Sequence, residues 1–205
     1  MKVKEFYFDS KDGKSKIHAV QYIPDTTDVV CVVQIVHGMA EYVERYERFI
    51  QALIQKGMVV AGENHLGHGK TVEKNGTPGY FCEEDPATVL VEDVHTLRKQ
   101  MQEQYPGVPY VMIGHSMGSF MVKNYLYHYG EGLSAAILLG TGMRNKKILE
   151  IGRTFVKLQK KLFGSKHVNR LLNWVASDSN NQKFKPTRTS VDWLNRDEKV
   201  LEEYR

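Results

Sequence analysis

The most restrictive feature of this chain is the pentapeptide Gly114-His115-Ser116-Met117-Gly118, which separates an apolar run at residues 108–113 from a helix-like stretch at residues 119–129. A G-x-S-x-G sequence between a strand and a helix predicts a sharp turn that leaves the serine hydroxyl exposed above a sheet. Gly114 and Gly118 are needed because a side chain at either position would collide with the neighbouring strand or helix. Ser116 is therefore a candidate nucleophile. The alternative is a glycine-rich turn without chemistry.

Strands and helices alternate through the first two thirds of the chain. Four apolar runs are typical of strands covered on both faces, namely residues 29–36, which are almost unbroken, and residues 58–61, 108–113 and 135–139. Three stretches between or after them have the apolar spacing of helices, namely residues 44–56, 85–105 and 119–129. The second of these begins at Asp85-Pro86, because Asp is favoured at the N-cap and Pro at the first helical position.

The N-terminal segment has a different pattern. Residues 4–9 and 16–23 alternate polar and apolar side chains around a turn at Gly13, which predicts an antiparallel hairpin at the edge of a sheet. Together with the alternating strands and helices, this order predicts an α/β fold with a doubly wound, mostly parallel sheet.

The pattern changes after Gly142. Apolar side chains then recur at steps of three and four, which places them on one stripe of a helix. They are Ile148, Ile151, Phe155, Leu158 and Leu162. Two shorter helical stretches follow, around residues 168–176 and 191–204, and no segment there has the pattern of a strand. We therefore expect a core at residues 1–142 and a helical insertion, or lid, at residues 143–205.

The net charge of +4 conceals a local excess of positive charge. Residues 144–170 contain nine basic residues and one acidic residue, Glu150, so this segment carries +8 and the rest of the chain −4. The segment is either a solvated charged face, a surface for anionic lipid headgroups, or a nucleic-acid surface. The last is disfavoured because the segment has no interleaved aromatic residues and no recognised binding motif.

Several classes of protein are excluded by composition. No apolar run approaches the ~18 residues of a membrane span, and the N-terminus has no apolar segment of a signal peptide. Cys31 and Cys82 are too few for a disulfide framework and lack metal-ligand spacing. His37, His65 and His68 have no accompanying Cys or carboxylate cluster, so they do not predict a metal site. We expect a cytoplasmic protein that uses no metal and no cofactor.

A second loop has the composition that acyl transfer requires. Such chemistry needs two backbone N–H groups for the oxyanion, one from the residue after the nucleophile and one from the loop after the third strand. Met117 supplies the first. The stretch His37-Gly38-Met39-Ala40-Glu41 directly follows the apolar run that ends at Val36, and the small Gly38 allows the backbone to approach a substrate. The N–H of Met39 is therefore the predicted second donor. The alternative is a plain turn at the end of the strand.

Four stretches together form a more specific pattern than the serine turn alone. They are residues 37–41 with Arg45 and Tyr46, residues 64–69, residues 114–118 and residues 192–197. On these motifs the chain resembles the monoacylglycerol lipase and lysophospholipase branch of the α/β-hydrolases, also called serine aminopeptidase-like hydrolases. The resemblance implies that Ser116 attacks an ester carbonyl and that Met39 and Met117 hold the oxyanion. It also implies that the helices after Gly142 form a cap over the acyl pocket. The supporting turns would contain His37, Gly38, Gly114, His115 and Gly118.

Two residues depart from the family pattern. Asn64 stands where the loop usually carries Asp, and Tyr42 stands where His usually follows the glutamate. Asn can close the same turn. We therefore expect the chemistry to be retained and the rim of the pocket to change at Tyr42.

The histidine base and the carboxylate that orients it follow the serine in this fold, in the order Ser, Asp or Glu, His. After Ser116 the only histidines are His128 and His167. His128 lies roughly 18 Å along the predicted helix, and His167 has no strand-end carboxylate before it. Family members continue past the cap with two more strands that carry the acid and the base. We therefore expect these 205 residues to be the N-terminal part of a longer hydrolase, with the C-terminal strands missing, and to be inactive alone.

The expected function is hydrolysis of acyl esters, monoacylglycerols or lysophospholipids, through an acyl-enzyme on Ser116. A peptidase of the proline-iminopeptidase kind is the nearest enzymatic alternative, but it would need an acidic patch for a substrate amine, whereas this lid is basic. A non-catalytic binding protein with the same fold is the alternative from another class. The expected partners are a small-molecule ester and, through the basic segment 144–170, a membrane surface, with no nucleic acid.

Overall fold

The computed structural model of the chain describes residues 1–143, 146–168, 181–189 and 191–204. The chain divides into two compact units, Met1–Asn145 and Lys146–Arg205. The first unit contains a β-sheet with its flanking helices, whereas the described residues of the second unit form helices and turns only.

A six-stranded sheet forms the centre of the first unit. In chain order its strands are β1 (Lys2–Asp9), β2 (Lys16–Ile23), β3 (Cys31–Val36), β4 (Met58–Glu63), β5 (Tyr110–His115) and β6 (Ala135–Leu139). They lie side by side in the order β1-β2-β4-β3-β5-β6. β2 is antiparallel to both β1 and β4, whereas β4, β3, β5 and β6 run parallel. The predicted doubly wound, mostly parallel sheet with an antiparallel N-terminal hairpin is confirmed.

Helices connect the parallel strands. They are α1 (Glu47–Ile54), which follows a 3-10 turn at Val43–Tyr46, then α2 (Gly69–Asn75), α3 (Pro86–Gln104) and α4 (Met117–Tyr129). The predicted start of α3 is confirmed, because the Asp85 side chain accepts a hydrogen bond from the Thr88 N–H and Pro86 occupies the first turn.

Two elements of the first unit differ from the sequence-based expectation. The structure contains α2, which the sequence does not predict because glycine and β-branched residues give its first turns low helix propensity. β5 begins at Tyr110 rather than at residue 108, because Pro109 has no N–H to donate to a strand ladder. The same strand extends to His115, which pairs with Leu139 of β6.

Apolar side chains pack against both faces of the sheet. Within β3, Val32 and Val36 belong to the cluster formed with α3 and α4, whereas Val33 and Ile35 belong to the cluster that contains Ile50 of α1. Full burial of a side chain of this size stabilises the fold by about 1.5–3 kcal/mol. Because both faces are covered, the central strands have mainly apolar sequences instead of alternating ones, with Gln34 of β3 and Glu63 of β4 as buried polar exceptions.

The second unit contains α5 (Lys146–Phe163) and α6 (Glu198–Tyr204), with a 3-10 turn at Gln182–Phe184. The predicted helix with an apolar stripe is present as α5, although the Ile148 side chain lies outside the described residues. The helix predicted around residues 168–176 also lies outside them, apart from Val168. In the described part of the chain, none of the helices combines the length and the apolar composition that a membrane crossing requires.

The prediction of a helix from residue 191 is wrong, because α6 begins only at Glu198. The Asn195 side chain accepts a hydrogen bond from the Asp197 N–H, and the Asp197 side chain accepts one from the Lys199 N–H, both at 3.0 Å. Such local side-chain bonds compete with helical hydrogen bonding. They end the turn at residues 191–194 and start a new helix at Glu198.

Glu63 at the end of β4 is a fully buried acid. Gln34 Nε2 donates to its Oε2 at 3.3 Å, and its Oε1 lies 3.3 Å from His65 Nδ1 without hydrogen-bond geometry. Burial raises the pKa of Glu63 to about 8 and lowers the pKa of His65 to about 3. At neutral pH both groups are therefore uncharged, and their contact is not an ion pair.

Glu63→Gln is expected to make the protein more stable, by an amount that grows between pH about 4.5 and about 8. The unfolded chain releases the Glu63 proton near pH 4.5, whereas the folded chain keeps it until about 8. Over that window the folded state binds more protons, so its stability falls as pH rises, by at most about 1.4 kcal/mol per pH unit. Thermal unfolding across this range measures the difference, with the exposed Glu103→Gln as control. Parallel plots of melting temperature against pH for wild type and Glu63→Gln would contradict the expectation.

Candidate active site

Ser116 lies on the turn between β5 and α4, with backbone angles φ 50° and ψ −115°. A positive φ is uncommon outside glycine and costs on the order of 1–3 kcal/mol. The Ser116 N–H donates to Leu139 O at 2.9 Å, and Ser116 O accepts hydrogen bonds from the N–H and Oγ of Ser119. These bonds hold the turn while the Ser116 side chain, at the N-cap of α4, makes no capping hydrogen bond. The hydroxyl is therefore not engaged in helix capping, although serine is favoured at that position.

The turn depends on the absence of side chains at two positions. A Cβ atom at Gly118 would lie 2.0 Å from Val36 O and 2.6 Å from His37 O, and one at Gly114 would lie 2.6 Å from Gly118 O. These separations are far below van der Waals contact. The first turn of α4 therefore packs directly against the end of β3.

The loop after β3 lies beside Ser116. A Cβ atom at Gly38 would be 3.1 Å from Ser116 Cβ. Ala40 has a φ of 58°, which bends the loop at the residue after Met39. Within the described ranges, the N–H groups of Met39 and Met117 have no hydrogen-bond partner. The structure thus brings Gly38 next to the serine turn and leaves both predicted donors unpaired.

His37 orients the backbone of this loop. Its Nε2 accepts a hydrogen bond from the His65 N–H at 3.1 Å, so the ring hydrogen is on Nδ1, which donates to Gly38 O at 2.8 Å. Burial holds the pKa of His37 well below its usual value, which keeps the ring neutral. In a trans peptide the C=O and the following N–H point in opposite directions. Anchoring Gly38 O on the His37 side therefore directs the Met39 N–H to the other side of the loop.

Two further histidines pack behind His37. The His37 and His65 rings stack at 3.9 Å between centroids, and His68 stacks on Phe81 at 5.8 Å. Burial lowers the pKa of His68 as well as that of His65, so these rings form a neutral packed layer. The described residues include no cluster of three or more His, Cys, Asp and Glu side chains arranged to hold a metal ion.

Glu41 joins the loop to the serine turn. Its Oε1 accepts hydrogen bonds from the Gly38 N–H at 2.5 Å, from Tyr46 Oη at 2.6 Å and from His115 Nδ1 at 2.8 Å. Burial opposes the charged form, but these three donors outweigh it and lower the pKa of Glu41 to about 2. The hydrogen bond to Glu41 raises the pKa of His115. Sequence reasoning assigned no role to Glu41 or Tyr46, and only their occurrence in the motif stretches pointed to them.

The two departures from the family pattern have different environments. Asn64 Oδ1 accepts a hydrogen bond from the Val43 N–H at 2.9 Å, and its Nδ2 lies 3.0 Å from His18 Nδ1 and 3.3 Å from Glu44 Oε2. An amide suits this position because Asp would face the Glu44 carboxylate with no hydrogen to donate. Tyr42 precedes the 3-10 turn with an exposed side chain.

All eight histidines of the chain lie in the described ranges, and none of them is hydrogen-bonded to Ser116 Oγ. His115, the nearest in sequence, directs Nδ1 to Glu41 and Tyr46. His128 lies in the last turn of α4. His167 belongs to the second unit and stacks on Phe163. Within the first unit, the structure therefore brings no imidazole base to the serine.

Gly118→Ala is expected to destabilise the first unit severely, by about 4 kcal/mol or more, because the new Cβ would overlap two backbone carbonyl oxygens. Urea unfolding of the purified variant, or its loss from the soluble fraction, measures this effect. Gly142→Ala is the matched control, since a Cβ there meets no atom within 4 Å. Equal stability of the two variants would show that α4 does not pack against β3 in this way.

Comparison with known proteins places this geometry in a family. The chain is 34% identical over 119 residues to a monoacylglycerol lipase of Mycolicibacterium smegmatis, which covers 58% of this chain and 40% of that protein. It is 31% identical over 98 residues to the human monoglyceride lipase, which covers 48% of this chain and 30% of that protein. The chain therefore spans less than half the length of these relatives.

Solved structures agree on the fold. A thermostable carboxyl esterase from Bacillus coagulans, in complex with glycerol, matches 100% of this chain and 65% of its own with a TM-score of 0.90 and 32% identity. A soluble variant of the Saccharomyces cerevisiae monoglyceride lipase matches with a TM-score of 0.60 at 20% identity, over 92% of this chain and 62% of its own, which shows the fold alone. The fold is that of the α/β-hydrolases. Because the family described as serine aminopeptidase, S33, matches residues 27–205, the chain belongs to that family of hydrolases.

Proposed function

We propose that the first unit carries the nucleophile and the oxyanion-binding groups of a serine hydrolase that cleaves acyl esters. The observation that carries the proposal is the Ser116 turn, where a strained positive φ presents a hydroxyl that does not cap its helix. In the proposed reaction Ser116 Oγ gives its proton to a base and bonds to the ester carbonyl carbon. The tetrahedral intermediate then breaks the bond to the ester alkoxy oxygen, which takes that proton and leaves as the alcohol. Water then hydrolyses the acyl-serine.

Met39 and Met117 are the proposed oxyanion donors. Their N–H groups are unpaired in the described part of the chain, and their segments meet where Gly38 approaches Ser116. Met117 is also the first residue of α4, so the positive end of the helix dipole adds to its N–H. The loss of one such donor in other hydrolases lowers kcat by on the order of 10²–10³. His37, Gly38, Gly114, His115 and Gly118 are proposed to support this arrangement.

Relatives named as monoacylglycerol lipases and a carboxyl esterase support an ester substrate. We propose monoacylglycerols or lysophospholipids as the substrate class. A peptidase that recognises a free amine would need a carboxylate to receive it. The segment 144–170 carries nine basic residues and one acid, which disfavours the peptidase alternative. Two free cysteines, one of them buried, suit the cytoplasmic location that we propose.

The 205-residue chain alone is proposed to lack esterase turnover. A serine needs an imidazole to take its proton, and none of the eight histidines is hydrogen-bonded to Ser116 Oγ. A non-catalytic binding protein would also lack turnover. The hydrolase and the binding protein therefore differ in whether the gene's full product reacts at Ser116.

Fluorophosphonate labelling of the gene's full product is expected to modify Ser116, and Ser116→Ala is expected to remove all labelling. Ser119→Ala is the matched control, because Ser119 Oγ only supports the turn by donating to Ser116 O at 2.6 Å. That variant should retain most of the label. Mass spectrometry of the modified peptide identifies the site. A label that persists in Ser116→Ala, or a full product that never reacts, would refute the assignment.

The second unit is proposed to act as a cap that contacts anionic membrane surfaces. The apolar stripe of α5 is exposed, with 71% of Ile151 and 65% of Leu162 accessible to solvent. The rest of the helix surface carries basic side chains, namely Lys146, Lys147, Arg153, Lys157, Lys160 and Lys161, against the single acid Glu150. A helix with an apolar stripe and a basic face binds at the interface of anionic bilayers.

Flotation with phosphatidylcholine vesicles that contain phosphatidylserine is expected to carry the protein upward, and vesicles without phosphatidylserine should bind it less. Lys157→Ser with Lys161→Ser should weaken the binding by about 5-fold per lysine, since each basic residue near such a surface contributes about 1 kcal/mol. Lys56→Ser with Lys99→Ser, both exposed in the first unit, is the control pair. No binding to either vesicle at low salt would exclude the membrane contact and leave a solvated charged face.

A further inference from the structure

An oxyanion hole works only if its two donors stay at a fixed separation. Here the proposed donors belong to segments far apart in sequence, because Met39 lies in the loop after β3 and Met117 begins α4. The Gly118 contact fixes α4 against the end of β3, where its nearest atoms belong to Val36 and His37. A separate interaction is needed to hold the part of the loop beyond Gly38.

Glu41 provides that interaction. Of the three donors to its Oε1, the Gly38 N–H lies in the loop itself, and His115 Nδ1 belongs to the residue directly before Ser116. Tyr46 Oη also lies 2.9 Å from His115 Nδ1, so the phenol and the imidazole form one cluster around the carboxylate. The side chain of Glu41 is only 12% exposed, which shields these bonds from water.

We propose that Glu41 is a positioning residue, whose carboxylate ties the loop carrying Met39 to the turn carrying Ser116 and Met117 and thereby sets the geometry of the oxyanion hole. This inference rests on the proposed function. Glu41 acts through Gly38 and His115 and is not proposed to touch the substrate.

The charges around Glu41 fit such a role. Its hydrogen bond to His115 raises the pKa of that imidazole and favours the charged ring, whereas Tyr46 is kept neutral by burial and by its hydrogen bond to Glu41, which raise its pKa. His37, His65 and His68 lie near enough to sense the charge of Glu41, but burial keeps them neutral. Arg45 opposes protonation of His115. The hydrogen bond between the carboxylate and the imidazole thus favours the charged form of each partner.

The test is steady-state kinetics of the gene's full product with 4-nitrophenyl butyrate. Glu41→Ala is expected to lower kcat by about 10- to 100-fold with little change in KM, because a displaced donor weakens binding of the transition state more than that of the substrate. Glu41→Gln keeps an oxygen acceptor and should recover most of the loss. Glu47→Ala, an exposed glutamate on the next turn, is the control and should match wild type.

The outcomes separate the two proposals. If Ser116→Ala abolishes turnover while Glu41→Ala keeps the wild-type kcat, the positioning role is wrong and the nucleophile stands. A rise in KM alone, or an equal loss in Glu41→Ala and Glu41→Gln, would also overturn it. If Glu41→Ala does not fold, NMR titration of the His115 ring in wild type and Glu41→Gln decides. A His115 pKa that is raised in wild type and lower in Glu41→Gln supports the contact. The same His115 pKa in both proteins overturns the proposal.

Discussion

The close approach of Gly118 to the end of β3 is the constraint on which the site depends. A Cβ atom at position 118 would lie 2.0 Å from Val36 O. The first turn of α4 can therefore occupy its position only with glycine at residue 118. Ser116 adopts a positive φ at the turn between strand and helix, directly before this contact. The same packing sets the N–H of Met117 beside the loop that begins at His37. Geometry, strain and donor placement thus follow from one backbone contact.

Buried polar groups around this contact divide into neutral and charged ones. Glu63 has no donor to Oε1, and burial therefore raises its pKa to about 8. Glu41 is less buried and receives three donors, which lower its pKa to about 2 despite the cost of desolvation. Glu41 is therefore the carboxylate that stays charged, because it accepts hydrogen bonds from both of the segments that it joins. Neutral rings such as His37 act through tautomer and packing instead of charge.

The alternating strands and helices, the N-terminal hairpin, the serine turn and the loop after β3 could be predicted because their signals are local. An unbroken apolar run indicates a strand covered on both faces, and two glycines around a serine indicate a sharp turn. The Glu41–His115 hydrogen bond could not be predicted, since it joins residues that are 74 positions apart in the sequence. It depends on how the loop after β3 meets the end of β5. The start of α6 was missed for a local reason. The side chains of Asn195 and Asp197 bond their own backbone, which apolar periodicity does not report.

The proposed site separates two requirements of acyl transfer, which are stabilising the oxyanion and activating the serine. Stabilising an oxyanion needs fixed dipoles, and the dipoles proposed here are backbone amides held by strand, glycine contact and Glu41, all within the first unit. Activating the serine needs an imidazole at its hydroxyl, which none of the seven histidines of the first unit supplies. Because backbone donors need no reorganisation during the reaction, the first requirement can be met before the second. The backbone conformation of Ser116 is thus set by contacts within the first unit.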